Sequence, residues 1–257
     1  MIHKDALIDP SAQIADSAII EKGAFIGKNC VIGENVFVGY NAVIERDTTV
    51  GDGTKVCMNA HIGGDPQDYS FKGEDTKLII GKNCLLREFC TIHRASTKED
   101  VWETVVGDNC FIMSYAHIAH DCKLRNNVTM TSFSALGGHC RVGSFVNMGG
   151  FAAAHQFVRI GSGCMIGGKS TLLKDAPPYC LLAGTPAELE GLNSVGLKRR
   201  GIGPEVRMEL KRALSIYMDL TIKLADLPEE LSFLHPYPEV VEFIDFIKDS
   251  KRSFVRG

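Results

Sequence analysis

The chain has 257 residues, which is enough for one large domain or for a large and a small one. Its formal net charge of -3 gives no global basic field of the kind that attracts nucleic acid. The first residues include His3, Lys4 and Asp5 and lack the apolar centre of a signal peptide, and no apolar run reaches the roughly 18 residues of a membrane span. We therefore expect a cytoplasmic protein that binds no nucleic acid and has no membrane span.

Aliphatic or small apolar residues recur at every sixth position through most of the chain up to Leu172. They form three blocks, which run from Ile8 to Ile62, from Ile80 to Ile92 and from Val106 to Leu172. Neither an α-helix, with a period of about 3.6, nor an alternating strand, with a period of about 2, produces this spacing. A short fixed repeat of this kind predicts a parallel β-helix, in which successive turns stack and bury a continuous core.

A small side chain usually stands four positions after each aliphatic residue, and we expect it to face the core at a tight corner. Seven of the nine cysteines occupy this position: Cys30, Cys84, Cys90, Cys110, Cys122, Cys140 and Cys164. Because a free cysteine packs as a small apolar residue, we interpret these seven as core residues rather than as metal ligands or redox groups. Glycine often follows the aliphatic residue, as at Gly27 and Gly33, where we expect a turn with positive φ.

Two segments interrupt the repeat, near residues 64–77 and 93–105. The first reads GDPQDYSFKGEDTK, which is too polar for an ordinary turn of a β-helix. In the second, 14 positions separate Ile92 from Val106, two more than two repeats, so part of the segment must loop out. Long loops on a rigid scaffold often carry functional residues, and we expect these two to do so.

The repeat ends at Pro177–Pro178, because proline prevents regular strand pairing. Apolar residues at spacings of three and four then follow Pro204 and Pro238, which is typical of amphipathic helices that begin at a proline. The sequence therefore predicts a parallel β-helix over residues 1–184 and a small α-helical domain over residues 185–257.

The six-residue period resembles the hexapeptide repeat of the left-handed β-helix acyltransferases. The resemblance implies an all-β, left-handed parallel β-helix with three hexapeptides in each turn of 18 residues, and a homotrimer of such chains. Periodicity alone gives neither the handedness nor the number of chains.

With about 18 residues to a turn, four histidines fall on one face in successive turns: His117, His120, His139 and His155. None of them occupies a core position of the repeat, so the fold does not require them. Two chemistries fit such a cluster. A neutral imidazole can take a proton from an attacking hydroxyl or amine, and three imidazoles can bind zinc, as in a carbonic anhydrase.

Five motifs are similar, in order and spacing, to those of bacterial UDP-N-acetylglucosamine acyltransferases: AHIAHDC, LGGHC, AAAHQF, KDAPPY and NSVGLKRRG. The resemblance covers the whole chain. It implies transfer of a 3-hydroxyacyl chain from acyl carrier protein to the 3-position of UDP-N-acetylglucosamine, the first step of lipid A biosynthesis. It also implies that the reaction needs no metal and no other cofactor, because the thioester donor is already activated.

Matched motif by motif, the resemblance implies that His120 is the general base, that Asp121 orients it, and that the backbone N–H of Gly138 stabilises the oxyanion. It implies that further residues bind the sugar, the acyl chain and the nucleotide: Asp68, His117, His139, His155, Gln156, Asn193, Arg199 and Arg200. The basic cluster between Lys198 and Arg212 suits the docking of an acidic carrier protein.

The chain departs from the family pattern at Ser70, where the family usually has a lysine near the sugar, and at Val195, where it usually has a glutamate. Because a lysine would repel a cationic amine, Ser70 leaves open a second acceptor, the 3-amino analogue of UDP-N-acetylglucosamine. Three other functions stay open as alternatives: a zinc-dependent hydratase like carbonic anhydrase, a coenzyme A acetyltransferase, and a nucleotide-sugar-binding scaffold without turnover.

Overall fold

The computed structural model describes residues 1–97, 102–249 and 253–256. Their strands, in chain order, are β1 (Leu7–Ile8), β2 (Gln13–Ile14), β3 (Ile19–Ile20), β4 (Phe25–Ile26), β5 (Val31–Ile32), β6 (Phe37–Val38), β7 (Val43–Ile44), β8 (Thr48–Val50), β9 (Lys55–Val56), β10 (His61–Gly64), β11 (Lys77–Ile80), β12 (Leu85–Leu86), β13 (Thr91–His93), β14 (Glu103–Val106), β15 (Phe111–Ile112), β16 (His117–Ile118), β17 (Lys123–Leu124), β18 (Thr129–Met130), β19 (Ala135–Leu136), β20 (Arg141–Val142), β21 (Asn147–Met148), β22 (Ala153–Ala154), β23 (Arg159–Ile160), β24 (Met165–Ile166), β25 (Thr171–Leu172), β26 (Cys180–Gly184) and β27 (Ala187–Leu192). The helices that follow are α1 (Ser194–Arg199), α2 (Pro204–Met218), α3 (Leu227–Glu230) and α4 (Pro238–Lys248).

The strands wind into a left-handed parallel β-helix with three sheets, which confirms the predicted fold class. Sheet I holds β1, β4, β7, β10, β13, β16, β19, β22 and β25; sheet II holds β2, β5, β8, β11, β14, β17, β20 and β23; sheet III holds β3, β6, β9, β12, β15, β18, β21, β24, β26 and β27. Except for β27, each strand pairs in parallel with the strand one turn away, as Leu7 does with Phe25, and from β1 to β25 paired residues outside the two insertions are 18 positions apart.

The core is a column of equivalent residues from successive turns. In sheet I, for example, Ile26, Ile44 and Ile62 are in register and fully buried. The seven cysteines of the small-residue position are buried and free, as expected of core residues. One of them, Cys122, directs its Sγ to the carbonyl oxygen of Gly137 in the next turn at 3.2 Å.

The corners of the β-helix differ from the expectation for glycine. Gly27 and Gly33 do not have positive φ; that conformation falls two residues later, at Asn29 (φ 57°) and Asn35 (φ 56°). Asparagine tolerates the left-handed conformation because its short side chain can hydrogen-bond locally. Gly27 meets a different requirement, since a Cβ there would lie 2.7 Å from the backbone nitrogen of Arg46 in the next turn.

Both insertions leave the β-helix at the corner between sheets I and II. Residues 65–76 connect β10 to β11, and residues 94–102 connect β13 to β14, with 98–101 outside the described residues. Pairing continues past both loops, because β10 pairs with β13 and β11 pairs with β14. The core is therefore uninterrupted, and both loops stand beside the corner that His120 occupies in a later turn.

The C-terminal helices pack against one end of the β-helix. Tyr217 of α2 and Phe243 of α4 are fully buried with their rings edge to face. The strand β27 pairs antiparallel with β26, so sheet III continues to Leu192. The predicted domain boundary at residue 184 stays a prediction. In the parts of the chain that the structure describes, no helix has both the length and the apolar character needed to cross a membrane.

Candidate active site

The corner between sheets I and II brings the predicted catalytic residues together. Because β16, β19 and β22 are neighbours in sheet I, the turns that follow them stack on one another. These turns carry His120 and Asp121, then Gly138 and His139, then His155 and Gln156, in three successive turns of the β-helix.

His120 and Asp121 form a hydrogen-bonded pair, with 2.7 Å between Nδ1 and Oδ2. Neighbouring side chains on a strand would point apart, but these two lie in a corner, and Asp121 has a φ of 63°. Asp121 thus occupies the left-handed corner position that Asn29 occupies in an earlier turn. This conformation turns the carboxylate back toward the imidazole, so the local backbone produces a contact that the sequence did not show.

The carboxylate of Asp121 is fully buried and is held from several sides. Ser96 donates its N–H to Oδ1 at 3.0 Å and its hydroxyl to Oδ2 at 2.7 Å. Burial alone would raise the pKa of Asp121, but the hydrogen bonds from His120 and Ser96 outweigh it and keep this pKa below its ordinary value. The backbone is fixed as well, because its N–H donates to Thr104 Oγ1 at 2.8 Å and its carbonyl accepts from Arg141 Nη1 at 2.6 Å.

His139 completes the buried part of the site. Its Nε2 lies 3.4 Å from Oδ2 of Asp121, and its ring is perpendicular to that of His120 at a centroid distance of 5.3 Å. The His139 ring also stacks on that of Phe157 at a centroid distance of 4.5 Å. Its φ of 63° places it at the same corner position as Asp121, one turn later.

The same three residues are the ones whose ligand atoms come close enough to hold a metal ion: within the described residues, His120, Asp121 and His139 have such atoms within 4.8 Å of one another. This set does not match the three-imidazole zinc site of the hydratase alternative. Oδ2 of Asp121 already accepts hydrogen bonds from His120 and Ser96. The donor set therefore fits a carboxylate that orients an imidazole better than it fits zinc.

Gly138 lies directly against the imidazole of His120. A Cβ at this position would stand 2.7 Å from Cε1 and 2.9 Å from Nε2 of that ring. Only glycine leaves room for the imidazole to contact the backbone here, which brings the Gly138 peptide next to the reactive nitrogen.

His117 lies on β16, beside a histidine that sequence reasoning missed. Its Nδ1 is 2.7 Å from Thr91 Oγ1, and its ring is 5.2 Å from that of His93. Burial lowers the pKa of His117 to about 4 and also lowers the pKa of His93. His93 falls in this cluster because β13 pairs with β16. This register can be read from the sequence only if the extra residues of the second insertion are assigned to one corner.

The first insertion loop is anchored next to these histidines. The buried guanidinium of Arg94 donates to the carbonyl of Gly63 and to the carboxylate of Asp65, whose own carbonyl lies 2.6 Å from Nδ1 of His93. Further along the loop, Ser70 donates its N–H and its hydroxyl to Oδ1 of Asp68, each at 2.8 Å. Position 70 thus presents a neutral hydroxyl that is already engaged within the loop.

His155 and Gln156 lie in the third of the stacked turns, and both side chains are exposed. Nδ1 of His155 is 3.2 Å from the carbonyl oxygen of Gln156. They extend the row of polar groups beyond His139 toward the C-terminal end of the β-helix.

The predicted nucleotide-binding residues lie elsewhere on the chain. Asn193 caps α1 by accepting from the N–H of Gly196 at 3.0 Å, and its amide donates to the carbonyl of Gly163 at 2.9 Å. Arg200 stacks over the ring of Phe145 at 4.4 Å, and its Nη1 is buried with no hydrogen-bond partner among the described residues. Gly163 and Phe145 belong to the corner between sheets II and III, so one chain does not bring these residues to the histidines; the third, Arg199, is exposed.

Comparison with protein families gives three matches along the chain. A model described as UDP-N-acetylglucosamine O-acyltransferase, domain 2, matches residues 175–255. The bacterial transferase hexapeptide model matches residues 29–64 and 103–138, and a hexapeptide repeat of succinyl-transferase matches residues 17–33.

Relatives and solved structures match over nearly the full length. The acyl-[acyl-carrier-protein]--UDP-N-acetylglucosamine O-acyltransferase of Thermodesulfovibrio yellowstonii is 42% identical over 99% of both chains, and that of Bartonella henselae is 41% identical over 98% of this chain and 92% of the other. The crystal structure of the UDP-N-acetylglucosamine O-acyltransferase of Moraxella catarrhalis superposes with a TM-score of 0.96 at 35% identity, covering 99% of both chains. The UDP-N-acetylglucosamine acyltransferase of Campylobacter jejuni gives a TM-score of 0.94 at 38% identity over all of both chains. With its hexapeptide β-helix, its buried His120–Asp121 pair and this likeness over the whole chain, the protein belongs to the UDP-N-acetylglucosamine O-acyltransferase family.

Proposed function

We propose that the chain transfers an (R)-3-hydroxyacyl group from acyl carrier protein to the 3-hydroxyl of UDP-N-acetylglucosamine, the first step of lipid A biosynthesis. The observation that carries the proposal is the 2.7 Å pair of His120 and Asp121 in a chain of this family. The names of the relatives supply the donor and the acceptor.

In this proposal His120 is the general base. Asp121 engages Nδ1, so the neutral imidazole carries its proton there and Nε2 keeps its lone pair. Nε2 takes the proton of the 3-hydroxyl as the oxygen attacks the thioester carbon. The tetrahedral adduct then expels the sulfur of the carrier, which takes the proton back from His120. Between the two steps the Asp121 carboxylate stabilises the imidazolium.

The backbone N–H of Gly138 is the proposed donor to the oxyanion of the adduct. Its peptide lies next to Nε2 of His120, where the thioester must lie for the attack. Within the described residues no acceptor engages this N–H, so it is available to a substrate oxygen.

The other matched residues are proposed to bind the substrates. Those that line the acceptor and acyl cleft are Asp68, Ser70, His117, His139, His155 and Gln156, and those that hold the nucleotide are Asn193, Arg199 and Arg200. His117 acts as a neutral hydrogen-bonding group, because burial lowers its pKa to about 4. The buried Nη1 of Arg200 suits a phosphate oxygen, since a guanidinium is rarely left without an acceptor.

We propose that the working unit is a homotrimer with active sites between chains. The histidines lie at the corner between sheets I and II, whereas Asn193 and Arg200 contact the corner between sheets II and III. A single chain thus presents two halves of a site at different corners of the β-helix. Neighbouring copies related by a rotation can place one half against the other.

The 3-hydroxyl is the proposed acceptor atom, because the relatives are named O-acyltransferases. The 3-amino analogue of the sugar is the second candidate. It is supported by Ser70, which presents a hydroxyl held by Asp68 where a lysine would repel an amine. Competition of the two acceptors at equal concentration distinguishes them through the ratio of their kcat/KM values. A Ser70→Lys chain that keeps the wild-type preference would remove the basis for the amine.

The proposal is tested by replacing His120 with alanine and assaying acyl transfer by mass spectrometry. Loss of a general base lowers the rate by roughly 10²–10⁴-fold, and we expect kcat to fall in this range while UDP-sugar binding is kept. Turnover within about threefold of wild type would contradict the role of His120. Stoichiometric zinc in the purified protein would favour the hydratase, acetyl-CoA turnover would favour the acetyltransferase, and sugar binding without any transfer would favour the scaffold.

A further inference from the structure

A row of three cations crosses the outer face of sheet II. Lys123 on β17, Arg141 on β20 and Arg159 on β23 are partners in register. Neighbouring strands of a sheet are about 4.8 Å apart, so the three charges follow one another closely. Like charges directly opposite each other are unfavourable in a sheet, and an anion placed beside the row relieves their repulsion.

Among the described residues, the contacts of these side chains leave most of their positive charge without a counter-ion. Lys123 lies 3.8 Å from a carboxylate oxygen of Glu103. Arg141 donates to the neutral carbonyl of Asp121. Arg159 stacks on the ring of Phe246 at 4.3 Å and has a weak contact with its carbonyl oxygen at 3.4 Å. Burial lowers the pKa of Lys123, against the effect of Glu103.

The row forms the floor of a groove of about 450 Å³, a size typical of sites for small molecules. Arg125 adds a fourth cation, and α4 with its C-cap residue forms the opposite side with three carboxylates: Glu242, Asp245 and Asp249. Glu242 is engaged by the hydroxyl of Tyr179, and Asp245 by Lys248 at 3.7 Å. Among the residues the structure describes, no ion pair joins the row to these carboxylates. The cations and the carboxylates thus lie on opposite sides of the groove without forming ion pairs.

We propose that this groove binds a small phosphate-bearing molecule, with the phosphate between Arg141, Arg159 and Lys123. Guanidinium groups match phosphate oxygens with paired hydrogen bonds, and an ammonium group adds a point charge. The carboxylates of α4 repel a broad acidic surface, so the groove selects a compact anion over an acidic protein or a nucleic acid. Arg141 connects this groove to the active site, because its guanidinium also donates to the carbonyl of Asp121.

The test is calorimetric titration of the full-length protein with inorganic phosphate, at constant ionic strength and with saturating UDP-N-acetylglucosamine. The sugar nucleotide fills the nucleotide site, so phosphate that still binds must occupy another place. The variants are Arg159→Gln and Lys123→Gln, which leave Arg141 and its bond to Asp121 in place. The matched control is Lys55→Gln, which removes an exposed cation from sheet III.

We expect one phosphate per chain, bound at least about tenfold more weakly by each groove variant and unchanged in the control. Two variants are used because Arg159 also packs on Phe246, so a folding defect in one leaves the other informative. No binding up to about 10 mM, displacement by the sugar nucleotide, or equal affinity in a folded groove variant and wild type would each overturn the proposal.

Discussion

Replacement of Asp121 by asparagine removes the charge behind the general base and changes almost nothing else in volume. The carboxylate accepts from His120 on one side and from the N–H and hydroxyl of Ser96 on the other. An amide has only one oxygen, so its nitrogen must replace either Oδ1, which accepts from the Ser96 N–H, or Oδ2, which accepts from His120 and from the Ser96 hydroxyl. If its nitrogen faces His120, the ring is driven to the other tautomer and Nε2 loses its lone pair. If it faces Ser96, two N–H donors oppose each other in a buried place.

The size of the effect follows from these contacts. A hydrogen bond to a charged group contributes about 1.5–3 kcal/mol, and this one strengthens when the imidazolium forms. At about 1.4 kcal/mol for each factor of ten, we expect kcat to fall by about 10- to 150-fold. KM for the sugar should change little, because Asp121 is fully buried and does not face the cleft.

The assay measures steady-state acyl transfer with purified acyl carrier protein, together with thermal unfolding of each variant. Asp108→Asn is the matched control, because Asp108 is also a corner carboxylate and accepts from the N–H of Lys82 at 2.7 Å, but at a different corner. We expect the control to keep wild-type kcat. A folded Asp121→Asn chain with kcat within about threefold of wild type would refute the orienting role of the carboxylate.

Three other outcomes are expected. Gly138→Ala should lower kcat by more than about tenfold in a folded chain, because its Cβ would lie 2.7 Å from Cε1 of His120 and displace the ring; unchanged kcat would exclude the tight contact. Ser96→Ala should lower kcat by about tenfold, since it removes the 2.7 Å hydroxyl bond to Asp121 and leaves the N–H, and Ser96→Thr should restore the rate; failure of threonine to rescue would argue against the hydroxyl. A chain with His120→Ala and a second chain with Arg200→Ala, folded together in equal amounts, should regain about a quarter of wild-type activity if each site takes its histidine and its arginine from different chains. A mixture no more active than either variant alone would contradict sites between chains.

The sequence predicted the fold well because one physical requirement repeats along it. An apolar residue at every sixth position gives the sheets, the core and the 18-residue register, and that register groups His120 with His139. The details of the corners were beyond the repeat. Positive φ at Asp121 depends on the local backbone, and the binding of its carboxylate by Ser96 depends on the course of a loop that interrupts the period.

The contact between the two insertions shows the same limit. Arg94, in the second insertion, is almost fully buried and binds Gly63 of β10 and Asp65 of the first insertion, although its sequence context gives no sign of burial. His93 was passed over for a related reason, since its neighbours in space are set by the size of the loop that follows it. Separation along the chain therefore predicts contacts only where the repeat is unbroken.

The buried cysteines make the opening of individual turns of the β-helix measurable by thiol labelling. Burial raises the pKa of Cys90 and of Cys164 to about 12, so neither thiol forms the reactive thiolate while its turn of the helix is closed. Cysteines at equivalent places, such as Cys30 and Cys140, lie in other turns. A thiol reagent applied briefly in mild denaturant would thus label each turn only when that turn separates from its neighbours. The order of labelling would show whether the stack unravels from an end or comes apart as one unit.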